Sequence, residues 1–113
     1  MKKLVLIALL FVSYASNAQS QMEINAKKVS ENMTTVMGLS AEETKEAYEL
    51  VLKRNMDKKA LKEKYGDDVD GFKVEGVKVE QEFNKDMKAL VGNEKWKIWA
   101  DYKKAESEAK AKN

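Results

Sequence analysis

Val69, Phe72, Gly76, Val79, Phe83, Met87 and Leu90 recur at steps of three, four, three, four, four and three. Those steps lay one stripe along an α-helix for about six turns at 3.6 residues per turn. A strand reading competes locally. Phe72, Val74, Val77 and Val79 could pair as a hairpin around Glu75-Gly76, because Val favours strands. Glu-Gly is a poor match to the loops that two-residue hairpins prefer. The longer register decides the matter and predicts a helix over about 68–91. Gly76 weakens that helix by about 1 kcal/mol, unless it serves a close helix approach or a kink. The chain contains no Pro, so nothing forces a break inside such a run.

The same spacing marks other helices. Met22, Ala26, Val29, Met33, Val36 and Met37 form a stripe over about 21–37, and Gly38 is placed to stop it. The stretch "GLSAEE" opens the next helix. Ser40 is a good N-cap, and Glu43 three residues on completes a capping box. Glu42 and Glu43 suit the positive end of the helix dipole. Leu39 is placed to staple against Thr44 or its neighbours. This helix is predicted to reach about residue 64, with Ala47, Tyr48, Val51, Leu52, Met56 and Ala60 as its apolar positions. Their repeated step of four makes the stripe drift, and Leu50 and Leu61 lie off it. Gly66, Asp67, Asp68 and Gly71 read as turn residues. Gly92 ends the third helix, and Asn93 is the expected cap of a fourth, where Trp96, Trp99, Ala100 and Lys103 share a face. The tail "KKAESEAKAKN" is polar and expected to fray. The reading is an all-α chain of about four helices, two of them long and antiparallel, with no linker dividing them.

The N-terminus reads as an export leader. Lys2 and Lys3 precede an unbroken apolar run from Leu4 to Val12, and Ser16 and Ala18 suit cleavage after Ala18. The run falls well short of the roughly 20 residues that span a bilayer. No Cys is present to carry a lipid. The expectation is a signal peptide at 1–18 and one domain at 19–113, periplasmic or secreted, with no stable membrane insertion. Lys2 and Lys3 account for the formal charge of +2, so the exported part is near neutral. That argues against nucleic acid and anionic membranes as partners.

The chain has no His and no Cys. Imidazole and thiolate metal sites and Ser-His or Cys-His nucleophiles are therefore excluded. Asp67, Asp68 and Asp70 invite a calcium reading, but the twelve-residue loop ending in Glu is lacking. An Asp-rich helix start explains them better. Glu42, Glu43 and Glu46 could be cast as an acid–base set, yet that work needs a pocket and shifted pKa values. No metal, no cofactor and no enzymatic activity are expected.

"Leu-Ser-Ala-Glu-Glu" opening a long helix has an echo in "KALVGNEKWKIWADYKK". With the export leader and a short lead-in helix, this layout resembles the LTxxQ-motif proteins of the Spy and CpxP type. In the first copy Leu39 is kept, Ser40 stands for Thr and Glu43 for Gln, which preserves the capping chemistry. In the second copy Leu90 is kept, Val91 stands where Thr is expected and Glu94 where Gln is. Asn93, shifted within the motif, offers the only cap there. The resemblance covers most of the exported chain in layout but few residues in identity. It implies a curved, hairpin-type helical homodimer acting as an ATP-independent chaperone or envelope-stress adaptor, with unfolded or envelope proteins as partners. The family's client surface mixes apolar and basic groups, a mixture that the near-neutral charge here puts in question.

Candidate client or dimer residues follow from the apolar and basic content. Met is adaptable and recurs at promiscuous surfaces. The set is Tyr48, Leu52, Arg54, Met56, Phe72, Phe83, Met87, Trp96 and Trp99. For the Met, Phe and Trp members, core packing is favoured over client contact, because regular stripes predict burial. Lys53, Arg54, Lys58 and Lys59 form a basic cluster that reads first as a solvated face. The alternative function is a structural or inhibitory subunit with one dedicated partner.

Overall fold

The computed structural model describes residues 16–112. Most of the expected leader, residues 1–15, lies outside the described residues. Four helices run in chain order: α1 (Ser16–Met37), α2 (Ala41–Tyr65), α3 (Val69–Val91) and α4 (Asn93–Lys112). No strand occurs among the described residues, and the segment 72–79 is helical. No described helix is long and apolar enough to cross a membrane.

Cross-helix pairs fix the arrangement. Asn55 Nδ2 donates to Asn25 Oδ1 at 3.0 Å, and the Thr34 and Thr44 hydroxyls meet at 2.6 Å, so α1 and α2 are antiparallel. Lys53 Nζ donates to Glu82 Oε1 at 3.0 Å, and Arg54 lies 3.9 Å from Glu80, so α2 and α3 are antiparallel too. Asn32 reaches the Tyr102 hydroxyl at 3.3 Å while Lys95 reaches the Gly38 carbonyl at 3.5 Å, which sets α4 against α1. The helices pack mainly as neighbours in a ring, α1 with α2, α2 with α3, α3 with α4 and α4 with α1. The result is an up-down-up-down ring of extents 38 × 37 × 26 Å. At about 1.5 Å per residue, α2 alone spans about 37 Å, the length of the molecule.

The core takes a contribution from every helix. Ala26, Met33 and Met37 come from α1, Ala47 and Val51 from α2, Phe83, Met87 and Val91 from α3, and Trp99 from α4. The stripe on α1 is buried or half-buried as its spacing predicts. On the α3 stripe Gly76, Phe83 and Met87 are buried, and Phe72, Val79 and Leu90 are half-buried. Val69 stays 58% exposed. On α2 the drift is real: Ala60 is exposed and Met56 is 39% exposed.

The turns follow the capping chemistry. Gly38, Gly66 and Gly92 take positive φ, which ends α1, α2 and α3 without a Cβ penalty. Ser40 Oγ accepts from the Glu43 N–H at 3.1 Å, and Glu43 Oε1 accepts from the Ser40 N–H at 3.0 Å, closing the capping box. Leu39 beside it is buried. Asp68 caps α3 by accepting from the Gly71 N–H at 3.1 Å, which gives this acidic turn a structural task.

One expectation needs correcting. Asn93 does not cap α4. It is the first helical residue, and the Gly92 carbonyl accepts from the Trp96 N–H at 3.1 Å, so Gly92 holds the cap position. The polar tail is helical through Lys112. Good helix formers and a Lys103–Glu106 contact at 3.1 Å favour that helix.

The two glycines of α3 have opposite roles. A Cβ on Gly76 would meet no atom within 4 Å, so close helix approach does not explain this glycine. A Cβ on Gly71 would sit 2.5 Å from the Tyr65 ring and 2.8 Å from Asp68 Oδ2. Gly76→Ala is expected to stabilise the monomer by about 0.5–1 kcal/mol. Gly71→Ala is expected to fall at least about 1 kcal/mol below it, through ring displacement and a disturbed cap. Urea melts of the two variants at low concentration decide this; equal gains would remove the assigned role of Gly71.

Candidate binding surface

The first motif is built into the fold. Lys95 of α4 reaches over the α1–α2 turn and places its ammonium 3.5 Å from both Glu43 Oε1 and the Gly38 carbonyl. Glu43 is thereby held by its own cap and by a cation. The Ser40 N–H first, and the Lys95 charge after it, keep its carboxyl below the ordinary range. A general acid needs the opposite shift. Glu42 and Glu46 line an open depression with Lys45 and Glu49, away from any enclosed space. Among the described residues no three Asp or Glu carboxylates converge to hold a metal.

The cap carries a pH signature. Glu43 has a depressed folded pKa, so its contribution is fully present above its unfolded pKa and is lost as pH falls through the folded value. Ser40→Ala is expected to cost about 1 kcal/mol at neutral pH. Glu43→Gln keeps an acceptor but no titration, so the acid-side loss of stability should shrink in that variant. Thermal melts between about pH 3 and pH 7 read both effects; an unchanged acid limb in Glu43→Gln would count against the assignment.

The second motif copy has no matching box. Leu90 is half-buried, Val91 is 9% exposed and belongs to the core, and Glu94 is exposed. The sequence echo therefore does not repeat the capping chemistry.

The basic cluster is neutralised in space. Lys53 pairs with Glu82 at 3.0 Å and Asp57 at 3.8 Å, Lys59 with Glu63 at 3.9 Å, and Lys58 with Glu80. Arg54 lies 4.3 Å from the Phe83 ring centre and 3.9 Å from Glu80. Burial pulls the Arg54 guanidinium below its usual range, against the opposing pull of Glu80. Such a set offers little free positive charge to a client. Leu50, Val79 and Phe83 join these charges around a space of about 10 Å³, room for one water.

The candidate surface residues divide cleanly. Phe83, Met87 and Trp99 are core residues at 5%, 0% and 6% exposure, so they offer no client surface. Their helical spacing already favoured that. Trp96 is half-buried with its ring edge-on to Phe83 at 6.0 Å. Leu52 and Tyr48 pack partly against the core. Tyr48 also lines an open groove between α1 and α2 with Glu23, Ile24 and Lys27, where burial, then Glu23, pushes its hydroxyl pKa up. Met56 and Phe72 keep accessible surface.

Other exposed apolar groups lie off the stripes that periodicity marked, Ile24 (47%), Val74 (60%), Val77 (54%) and Ile98 (48%), whereas Val69 (58%) lies on one. A β-branched residue off the stripe of a predicted helix was the available signal. Around Val77 an open groove of about 370 Å³ is lined by Phe72, Gly76, Lys58, Lys73 and Glu80. The chain matches no family model, no curated protein and no solved structure.

Proposed function

We propose that the chain is an exported, non-enzymatic binding protein that holds non-native segments of envelope proteins without ATP, as its resemblance to the LTxxQ group implies. One observation carries the reading. Exposed apolar side chains stand on all four helices: Ile24 on α1, Met56 on α2, Val69, Val74 and Val77 on α3, and Ile98 on α4. Charged neighbours such as Asp57, Lys73, Lys78 and Lys97 flank several of them. Covering a half-exposed side chain of this kind yields about 1 kcal/mol. A client touching several of them is held weakly and released without an energy source. The neutralised cluster on α2 makes apolar contact, rather than charge, the main attraction. Envelope-stress signalling would use the same surfaces with a dedicated adaptor partner.

A second reading has its own support. Three of the six exposed apolar groups lie within the first half of α3, and that concentration favours one dedicated partner. Light scattering separates the two. The exported protein would be added without ATP to two unrelated aggregating proteins. Suppression of both at near-stoichiometric amounts is expected. No effect on either would remove general chaperoning and leave the single-partner reading.

A further inference from the structure

The seam between α2 and α3 changes character along its length. Around Lys53 its charges cancel: Lys53 meets Glu82 and Asp57, and Lys58 and Arg54 meet Glu80. Nearer the start of α2 they do not. There Glu46, Glu49 and Leu50 of α2 and Ala89, Leu90 and Asp86 of α3 line an open groove of about 300 Å³. Its carboxylates have no cation among the lining residues. Glu46, Glu49 and Asp86 make no ion pair among the described residues. In the adjoining depression Lys45 offsets Glu42 and leaves this excess untouched. Lys85 and Lys88 are exposed on α3 but line no part of the groove. The floor is apolar, because Leu50 and Leu90 are half-buried and pack partly against the core.

We propose that this groove binds a cationic amphipathic helix of another polypeptide. An apolar side chain of that helix sits between Leu50 and Leu90, and its Lys or Arg side chains one turn to either side reach Glu46 or Glu49 and Asp86. The two walls favour such an occupant. Positions 46, 49 and 50 on one wall and 86, 89 and 90 on the other share a helical spacing, with an acid first and a leucine last. Because α2 and α3 are antiparallel, Glu46 comes about level with Leu90 and Asp86 with Leu50, in the register that Lys53–Glu82 sets. A carboxylate therefore stands at each end of a leucine floor. A trough between two helices accepts a third helix through anchors at i, i+3 and i+4. The carboxylates do not converge as a metal site would, so the negative charge is spread along the trough. Complementary cations on the partner select it over a neutral or acidic helix. This surface lies apart from the exposed valines of α3, and the proposal does not depend on the holding of non-native segments.

Fluorescence anisotropy tests this with a labelled synthetic helix of about five turns, built from Leu and Lys at amphipathic spacing. The exported protein is expected to bind it with Kd of about 10–100 µM. A peptide with Gln for every Leu, and another with Glu for every Lys, should each bind at least about tenfold more weakly. Glu46→Lys and Asp86→Lys should each weaken binding of the Leu/Lys peptide by at least about tenfold. Glu31→Lys makes the same change of charge at an exposed site on α1, and its Kd should match that of the unaltered protein. Circular dichroism melts check that the variants are folded. No binding of the Leu/Lys peptide, or a Kd indifferent to Glu46→Lys or Asp86→Lys, overturns the proposal. So does equal binding of the Gln peptide, which would reduce the site to charge alone, or an equal loss in Glu31→Lys, which would reduce it to net charge. Client suppression plays no part in this readout, so the two ideas fail separately.

Discussion

Met87→Ala is expected to destabilise the protein by about 3 kcal/mol, within the range of about 2–5 kcal/mol for emptying a buried Met site. Met87 is fully buried, as are Met33 of α1 and Val51 of α2, all in one core cluster. A chain of this size holds about 5–10 kcal/mol in all. Tm should therefore fall by about 15 °C. Met87→Leu keeps the volume and should cost less than about 1.5 kcal/mol. Met56→Ala, at 39% exposure, should cost well under about 1 kcal/mol. Thermal melts of the three variants rank them. An adaptable client-binding Met at position 87 would give the reverse order, with Tm unmoved and only client suppression lost.

Much of the backbone was legible because its signals are local. The Ser40–Glu43 box, Asp68 at the start of α3, and Gly38, Gly66 and Gly92 at helix ends each act within four residues. The α3 register was legible because a long stripe outweighs the β-preference of Phe72, Val74, Val77 and Val79. What stayed hidden depends on separation in sequence. Lys53 finds Glu82, Arg54 finds Phe83, and Asn32 finds Tyr102 only after the helices pair. Lys53, Arg54 and Lys58 read as part of a solvated basic face because their partners on α3 are distant in sequence. Asn93 was misplaced because a glycine with φ of 91° can terminate α3 and still offer its carbonyl to α4. The groove over Gly76 was hidden for a different reason. A glycine in a stripe reads as close approach, whereas here the neighbouring helix leaves the space open.

Trp99→Ala is expected to release α4 from the ring. Trp99 is α4's one residue in the buried core, at 6% exposure, and it stacks on Tyr102 at 5.4 Å. Truncating a buried Trp costs about 3–5 kcal/mol. The other ties of α4 are an edge-on Trp96–Phe83 contact, the Asn32–Tyr102 hydrogen bond and the Lys95–Glu43 ion pair. The exposed polar ties contribute about 0–1 kcal/mol each, and an aromatic pair adds about 0.5–1.5 kcal/mol. Together they do not offset the loss. Detached, α4 is a polar 20-residue helix, and helices of this kind are marginal in water without tertiary packing. Hydrogen exchange should show residues 93–112 losing protection first and most, with the α1–α2 and α2–α3 seams retaining theirs through Asn25–Asn55, Thr34–Thr44 and Lys53–Glu82. Trp99→Phe keeps most of the apolar area and should leave α4 docked. If α4 keeps its protection in Trp99→Ala, the helix is held by its rim rather than by its tryptophan.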